Sequence, residues 1–174
     1  MLYEIKERIY EMMKKRMFKL VLSIICIMVF TGCGKKEEDT NVPDTAGGKI
    51  QQLFLDTVKE NPDITSQELA DTLIFDKMIP FSGATMPVEE GWLAGFDTEI
   101  TGFSDGVMFS PMIGTIPFVG YIFTVDESTS DDFMKTLQDN ANLRWNICTE
   151  ADEMIVDKSG DKVFFLMCPS SFDE

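Results

Sequence analysis

Histidine is absent from this chain of 174 residues, and its absence excludes more chemistry than any motif suggests. Without an imidazole there is no Ser-His-Asp triad and no Cys-His pair for nucleophilic catalysis. Most zinc sites are excluded as well, because they use at least one histidine ligand. We therefore expect no catalytic residue set, no bound metal and no cofactor.

Cations are scarce. The chain has 15 Lys and Arg residues against 30 Asp and Glu residues, which gives a net charge of −15. Residues 1–33 hold six cations and three acids, so the remainder carries −18. Such a surface repels phosphate backbones and anionic lipid head groups, which argues against a nucleic-acid partner. Solubility outside the cytoplasm is the simplest explanation of the acidity.

The sequence also lacks an apolar run of the length that a spanning helix needs. Leu20–Phe30 is apolar except for Ser23 but has only 11 residues, whereas a transmembrane helix takes about 20. Four cations precede this run: Lys14, Lys15, Arg16 and Lys19. Charge first, then a short apolar segment, then small residues is the pattern of a secretory signal peptide. The cations should stay on the cytoplasmic side of the membrane.

The run ends in Phe30-Thr31-Gly32-Cys33, which resembles the lipobox of bacterial lipoproteins. The resemblance implies that signal peptidase recognises Phe30, Thr31 and Gly32 and cuts before Cys33. It also implies a diacylglyceryl group on the Cys33 thiol. Two acyl chains suffice for stable attachment, so we expect a cell-membrane protein that is lipid-anchored on the extracytoplasmic face. The alternative is an ordinary cysteine that follows an ordinary signal peptide.

Composition divides the chain into three parts. Residues 1–32 are the predicted signal peptide. Residues 1–16 are either part of it or lie before the true initiation site. Residues 33–49 are the predicted lipidated cysteine and flexible tether, because Gly34–Gly48 is polar, charged and glycine-containing and can bury little surface. Residues 50–174 have enough apolar side chains for a single domain.

Periodicity within 50–174 predicts an α+β fold: an N-terminal helical hairpin and an antiparallel sheet of about four or five strands, with one further helix packed on one face. All helices are expected on the same face. The predicted elements are a helix over Ile50–Glu60, a second helix that begins at a Thr65–Glu68 capping box, strands over Val88–Phe96, Glu99–Phe109 and Tyr121–Val125, a helix over Asp131–Leu143 capped by Ser130, and a hairpin around Ser159-Gly160.

Two groups of residues are candidate sites. Cys148 and Cys168 would lie near each other across a hairpin, so a disulfide is one prediction for an exported protein, and two buried thiols are the other. The apolar, Gly- and Pro-rich stretch from Phe109 to Gly120 is either a packed connection between strands or a binding groove or partner patch. The patch would use Met112, Ile113, Ile116 and Phe118. We expect Trp92 and Trp145 in the core or at its edge, and a role at an interface is the alternative.

Other motifs favour structural roles. Gly102–Gly106 matches the sequence motif of a nucleophile elbow. Such an elbow needs a following helix and a histidine base, whereas the residues after Gly106 favour a strand. The acids Asp126, Glu127, Asp131 and Asp132 lack the spacing of a calcium loop. A helix start on a solvated face explains them better. Glu150, Asp152 and Glu153 are interpreted in the same way.

The C-terminal half resembles a group of known sequences. The strand Tyr121–Val125, the helix after it and the segment Asn140-Ala141-Asn142-Leu143-Arg144-Trp145-Asn146 are similar to small lipoproteins of Gram-positive gut bacteria that are grouped as domains of unknown function. This resemblance implies a lipoprotein without an assigned activity, and it transfers no functional residue. We expect a non-enzymatic binding or interaction module with an unknown protein or small-molecule partner. The alternatives are a carboxylate-dependent envelope hydrolase and a structural envelope component.

Overall fold

An antiparallel five-stranded sheet forms the centre of the structure, a computed structural model that describes residues 42–146 and 148–172. The helices are α1 (Ala46–Glu60), α2 (Ser66–Ile74) and α3 (Ser130–Asn140). The strands are β1 (Gly83–Pro87), β2 (Gly91–Trp92), β3 (Glu99–Ile100), β4 (Asp105–Pro111), β5 (Val119–Thr124), β6 (Glu153–Ser159) and β7 (Lys162–Cys168). The main sheet has the order β1-β4-β5-β7-β6, and β2 pairs with β3 separately. The fold is therefore α+β.

The two faces of the sheet carry different helices. α1 and α2 form the predicted hairpin and pack on one face, where Phe54 stacks on Phe164 with ring centroids 5.1 Å apart. α3 packs on the other face, where Phe133 meets Phe123 at 5.2 Å. The expectation that all helices share one face is thus wrong. Alternating side chains of β5 and β7 supply apolar groups to both faces, and each face needs a cover.

The interior strand β7 explains why both faces must be covered. Every residue from Lys162 to Cys168 is buried. Phe164 and Leu166 belong to the core under α1 and α2, while Val163, Phe165 and Met167 belong to the core under α3. A strand that is apolar on both sides reads as a continuous hydrophobic run rather than as an alternating one. β7 therefore joins the two cores into one domain.

The chain enters the fold earlier than predicted. α1 begins at Ala46, so Ala46–Lys49 are helical and the tether prediction is wrong for these residues. Gly47 and Gly48 are buried because neighbouring chain leaves no room for a side chain. A Cβ on Gly47 would lie 2.6 Å from Glu153 Oε1, and one on Gly48 would lie 1.9 Å from the Pro43 carbonyl oxygen. These glycines permit close packing rather than flexibility.

Local signals located several elements correctly. Thr65 and Glu68 form the predicted capping box, in which the Glu68 backbone N–H donates to Thr65 Oγ1 at 3.2 Å and Glu68 accepts from the Thr65 N–H. Hydrogen bonds from the Thr65 hydroxyl, and then from the Thr65 N–H, lower the pKa of Glu68. The β6–β7 hairpin turns at Gly160, whose φ of +59° suits glycine. Both predictions are confirmed.

Other boundaries differ. The predicted strand over Val88–Phe96 is wrong, because the edge strand is β1 and only Gly91–Trp92 of that range is a strand. Ser130 is the first residue of α3 rather than its cap, and its hydroxyl donates to the Glu127 carbonyl at 3.0 Å. Among the described residues, no helix is long and apolar enough to cross a bilayer. The predicted signal peptide, Cys33 and residues 33–41 of the tether lie outside the described residues.

Candidate functional site

The loop from Met112 to Phe118, which joins β4 to β5, combines an exposed tip with a buried root. Met112 and Ile113 are 70% and 73% exposed, and we call this adjacent pair the tip. Phe118 at the root is buried. The other large apolar side chains that are exposed in the described part of the chain, Phe75, Met86 and Trp92, are not adjacent in sequence. Of the residues predicted for a patch, Met112 and Ile113 are therefore exposed, whereas the prediction is wrong for Phe118, which is buried. Whether the exposed pair binds a partner stays a prediction.

Contacts at both sides hold this loop. The Met112 N–H donates to the Ser82 carbonyl at 2.9 Å, and Asn146 Nδ2 donates to the Gly114 carbonyl at 2.7 Å. Phe118 packs edge-on against Phe81 with ring centroids 5.2 Å apart, and also contacts Phe109 and Phe172. Because the anchoring groups come from distant parts of the chain, sequence periodicity gives no sign of them. The tip is exposed on a loop whose base is fixed.

Ile116 lies between two open clefts. One cleft of about 480 Å³ is lined by Pro80, Phe81, Ile116, Pro117 and Phe172, among other residues. The second, of about 170 Å³, is lined on the other side of the loop by Met108, Ile116, Trp145 and Asn146, among others. Half-buried Ile116 thus belongs to both walls. Polar side chains also line both clefts, Thr115, Thr149, Asp152 and Ser171 in the larger and Ser110 and Asn146 in the smaller, so each wall mixes apolar and polar groups.

The larger cleft continues towards the start of the domain. A third cleft of about 350 Å³ is lined by Asp44, Lys49 and Met78, and it shares Phe172 with the 480 Å³ cleft. The Ala46 N–H donates to the Ser170 carbonyl at 2.9 Å, which ties the chain's entry point to the segment after β7. We call this side of the domain the entry end. It consists of residues 42–45, 75–82, 112–118, 141–146, 148–152 and 169–172.

The opposite side, the far end, consists of residues 61–65, 101–104, 125–129 and 160–161. Asp126 accepts hydrogen bonds from the Ser128 N–H and hydroxyl, which hold its pKa below the usual aspartate range. Asp131, in the first turn of α3, accepts from Lys158 Nζ at 2.6 Å. These acids stabilise a turn and a helix start, as the sequence analysis expected.

The remaining acids that the sequence singled out are dispersed. Glu153 Oε1 accepts from the Gly47 N–H at 2.8 Å, so it caps the start of α1 from a neighbouring strand. Asp152 accepts from the Ser170 N–H at 3.0 Å, and Glu150 lies 3.6 Å from Arg144 Nε. Within residues 42–146 and 148–172, no group of three His, Cys, Asp or Glu side chains could hold a metal ion.

Both remaining cysteines are free, so the disulfide prediction is wrong. Cys168 is buried at the end of β7, whereas Cys148 is exposed in the connection before β6. The alternative of two buried thiols therefore holds for Cys168 only. Burial, and then the nearby carboxylates of Glu153 and Asp152, raise the pKa of Cys168. A thiol with a raised pKa is a poor nucleophile, which argues for a packing role.

The serine of the elbow-like motif is also structural. Ser104 directly precedes β4, and its hydroxyl donates to the Thr124 carbonyl at 3.2 Å. A strand rather than a helix follows it, as expected. Of the two tryptophans, half-buried Trp145 packs against the core under α3, but Trp92 is 70% exposed, so the prediction for Trp92 is wrong.

Two features of the entry end were not foreseen from the sequence. Phe81 and Phe172 support the root of the loop, although they lie 37 and 54 residues from Phe118 along the chain. Thr149, which lines the 480 Å³ cleft, has the one buried side-chain hydroxyl without a hydrogen-bond partner in the described part of the chain. Both features depend on tertiary contacts and leave no periodic pattern.

Comparisons with known proteins give no assignment. No family model matches the chain, and no similar protein was found among the curated proteins or the solved structures. The similarity of the C-terminal half to small lipoproteins therefore stays a prediction.

Proposed function

We propose that this protein is a lipid-anchored, extracytoplasmic interaction module, held at the cell membrane through a diacylglyceryl group on Cys33. Support for the anchor comes from Thr31-Gly32-Cys33 directly after a short apolar stretch and a cationic segment. Two acyl chains hold a protein on a bilayer without a spanning helix. The acidic surface keeps the exported domain soluble.

The observation that carries the interaction role is the adjacent exposure of Met112 and Ile113 on a loop with a fixed base. Contact between an apolar side chain and water is unfavourable. Adjacent apolar side chains that stay exposed therefore indicate a surface that is covered by a partner. The clefts beside the loop add both apolar and polar side chains to this surface. The entry end is therefore the surface that meets a partner.

A hydrolase receives less support. Catalytic acids generally sit in a cleft with an environment that perturbs their pKa values. In this domain the carboxyl groups with lowered pKa values, Glu68 and Asp126, are exposed and serve a helix cap and a turn. No observation favours a purely structural envelope role over an interaction role.

Cys33→Ser tests the anchor in the full chain. We expect the unchanged chain to be found in the membrane fraction, and its intact mass to equal residues 33–174 plus the lipid. Cys33→Ser should remove the lipid and release the domain from membranes. Cys26→Ser is the matched control, because Cys26 follows Ile24 and Ile25 rather than small residues and should leave processing unchanged. Cys33→Ser protein that stays in membranes at its former size would contradict the proposal.

A photoreactive residue at position 113 tests the interaction role in intact cells. We expect an adduct with an envelope component at Ile113, and a much lower yield at Met86, a second exposed apolar side chain on strand β1. Equal yields at the two positions would show that the tip is not a preferred contact.

A further inference from the structure

We infer that the partner of the tip is the lipid surface itself: Met112 and Ile113 insert into the interfacial layer of the membrane that carries the anchor. This inference rests on the proposed lipidation of Cys33 and names the contact that the interaction surface makes. The entry end of the domain would then contact the bilayer, and the domain would have a fixed orientation instead of moving freely on its anchor. Three observations support this orientation.

The first observation is the length of chain before the described domain. Val42 follows Cys33 by only nine residues, and a chain of that length spans at most about 30 Å. The entry point is fixed to the segment after β7, because the Ala46 N–H donates to the Ser170 carbonyl. Phe172 of that segment packs on Phe118 at the root of the loop, with ring centroids 6.2 Å apart. An anchor at Cys33 therefore keeps this end of the domain close to the lipid.

The second observation is that the loop is uncharged. The chain has no charged residue between Gly106 and Val125, a range that includes the whole loop. Each end of the sheet carries four acids, but only the entry end also carries cations, Lys77 and Arg144, so its net charge is −2 and that of the far end is −4. Anionic head groups repel the more acidic end more strongly and do not repel a neutral loop. Electrostatics thus favours the same orientation as the anchor.

The third observation is the shape of the loop. Met112 and Ile113 are exposed side by side, while Phe118 and the hydrogen bonds to Ser82 and Asn146 fix the base. A loop with a fixed base loses little conformational entropy when its tip inserts. The apolar side chains gain from leaving water. Trp145 lines the cleft beside the loop, and tryptophan is favoured at the level of the head groups.

Depth measurements with a nitroxide test the inference on the lipidated full chain in phosphatidylcholine vesicles. Cys148→Ser removes the exposed thiol, and Cys168 is buried, so a single label can be placed. Ile113→Cys carries the label at the tip, and Glu127→Cys carries it at the far end. The label at position 113 should lie about 5–10 Å below the phosphate level, inaccessible to a water-soluble relaxation agent. The label at position 127 should remain accessible to that agent.

The outcomes separate this inference from the proposed function. Protein that floats with the vesicles while the label at position 113 stays as accessible as in solution would overturn the lipid contact. The anchor would remain, and the tip would then be available to a protein partner. Protein that lacks the lipid mass and does not float would overturn both.

Orientation provides a second measurement that does not place a label at the tip. Energy transfer from a donor at Glu127→Cys to an acceptor on lipid head groups should indicate a long, narrowly distributed distance. Met112→Ser combined with Ile113→Ser should broaden and shorten that distance, because the domain becomes free to tumble on its anchor. Met86→Ser is the control for loss of an exposed methionine elsewhere and should change nothing. An unchanged distance in the double variant would contradict the inference.

Discussion

The entry end and the far end of the sheet are built by different means. At the far end, several turns are stabilised by residues close in sequence: Glu68 caps with Thr65, Asp126 accepts from Ser128, and Gly160 turns the hairpin. Bonds such as that from Val125 N–H to the Asp161 carbonyl add to these local contacts. At the entry end, the contacts that hold the loop join distant segments, as between Asn146 and Gly114. The loop of the entry end therefore depends more on tertiary packing than the turns of the far end do.

This difference has an energetic consequence. A change in a local motif of the far end removes a few exposed hydrogen bonds, so we expect it to leave the packed core in place. A change at the entry end disturbs packing that several segments share, because Phe118 contacts Phe81, Phe109 and Phe172 together. Substitutions at the two ends should therefore lower the free energy of unfolding by different amounts. The predictions below run from the largest effect to the smallest.

Phe118→Ala should have the largest effect. The ring is buried at the root of the loop, and removal of a buried phenylalanine costs about 3–5 kcal/mol of unfolding free energy through lost burial and the cavity left behind. Urea unfolding of the domain, followed by circular dichroism, measures this cost. Ile113→Ala is the control in the same loop and should change stability little, because its side chain is exposed. Equal losses of unfolding free energy in the two variants would mean that the root of the loop is no more important for stability than the tip.

Gly47→Ala should destabilise by an intermediate amount. The added Cβ would lie 2.6 Å from Glu153 Oε1 and 2.8 Å from Ile155 Cδ1, so the start of α1 must move away from β6. Overpacking of this kind costs about 1–3 kcal/mol. Thermal and urea unfolding measure it. A Gly47→Ala protein that is more stable than the original would indicate that the segment is a flexible tether after all.

Thr65→Ala should have a smaller effect at the far end. The substitution removes the side chain that accepts from the Glu68 N–H, and loss of such a cap costs about 1 kcal/mol. Thr72→Ala is a matched control, since Thr72 is an exposed threonine within the same helix and only bonds back to the Glu68 carbonyl. A Thr65→Ala cost as large as that of Phe118→Ala would contradict the view that the far end is stabilised locally.

Ser128→Ala should have the smallest effect, which is best seen as a change in pKa. Hydrogen bonds from the Ser128 hydroxyl and N–H lower the pKa of Asp126, so their contribution to stability is complete above the ordinary aspartate pKa of about 4. It is lost as the pH falls through the lower pKa of the folded state. Ser128→Ala should move the pKa of Asp126 towards its ordinary value. Carboxyl-carbon NMR titration measures this, and an unchanged pKa would exclude the hydroxyl as a cause.

The same contrast explains which parts of the fold were predictable. The Thr65–Glu68 cap, the Ser159-Gly160 turn and strand β5 depend on neighbouring residues, and each has a sequence pattern. The face of the sheet that α3 covers and the burial of Gly47 depend on segments far apart in the chain. The helical start at Ala46 also has a local cap that was overlooked, because Thr45 Oγ1 accepts from the Gly48 N–H at 3.0 Å. Glycine in a polar context indicates flexibility by composition, and here it permits contact with β6. Composition cannot distinguish these two roles.

The candidate site was predictable to the same limited extent. An apolar, Gly- and Pro-rich connection identified the loop, but not which of its side chains would be exposed. Phe118 is buried because Phe81 and Phe172 meet it, whereas Met112 and Ile113 lie beyond that contact. The prediction of a Cys148–Cys168 disulfide was wrong for the same reason. Spacing in the sequence does not give the distance between the two Cβ atoms, which decides whether a disulfide can form.

The place of β7 in the sheet also limits when the domain can fold. β7 is the last strand of the described chain, and it lies between β5 and β6 while it contributes to both cores. Until the ribosome has released Lys162–Cys168, β5 and β6 lack their shared neighbour, so the sheet cannot close before β7 has been made. The proposed export would use this open form, because a secretion channel threads an unfolded chain.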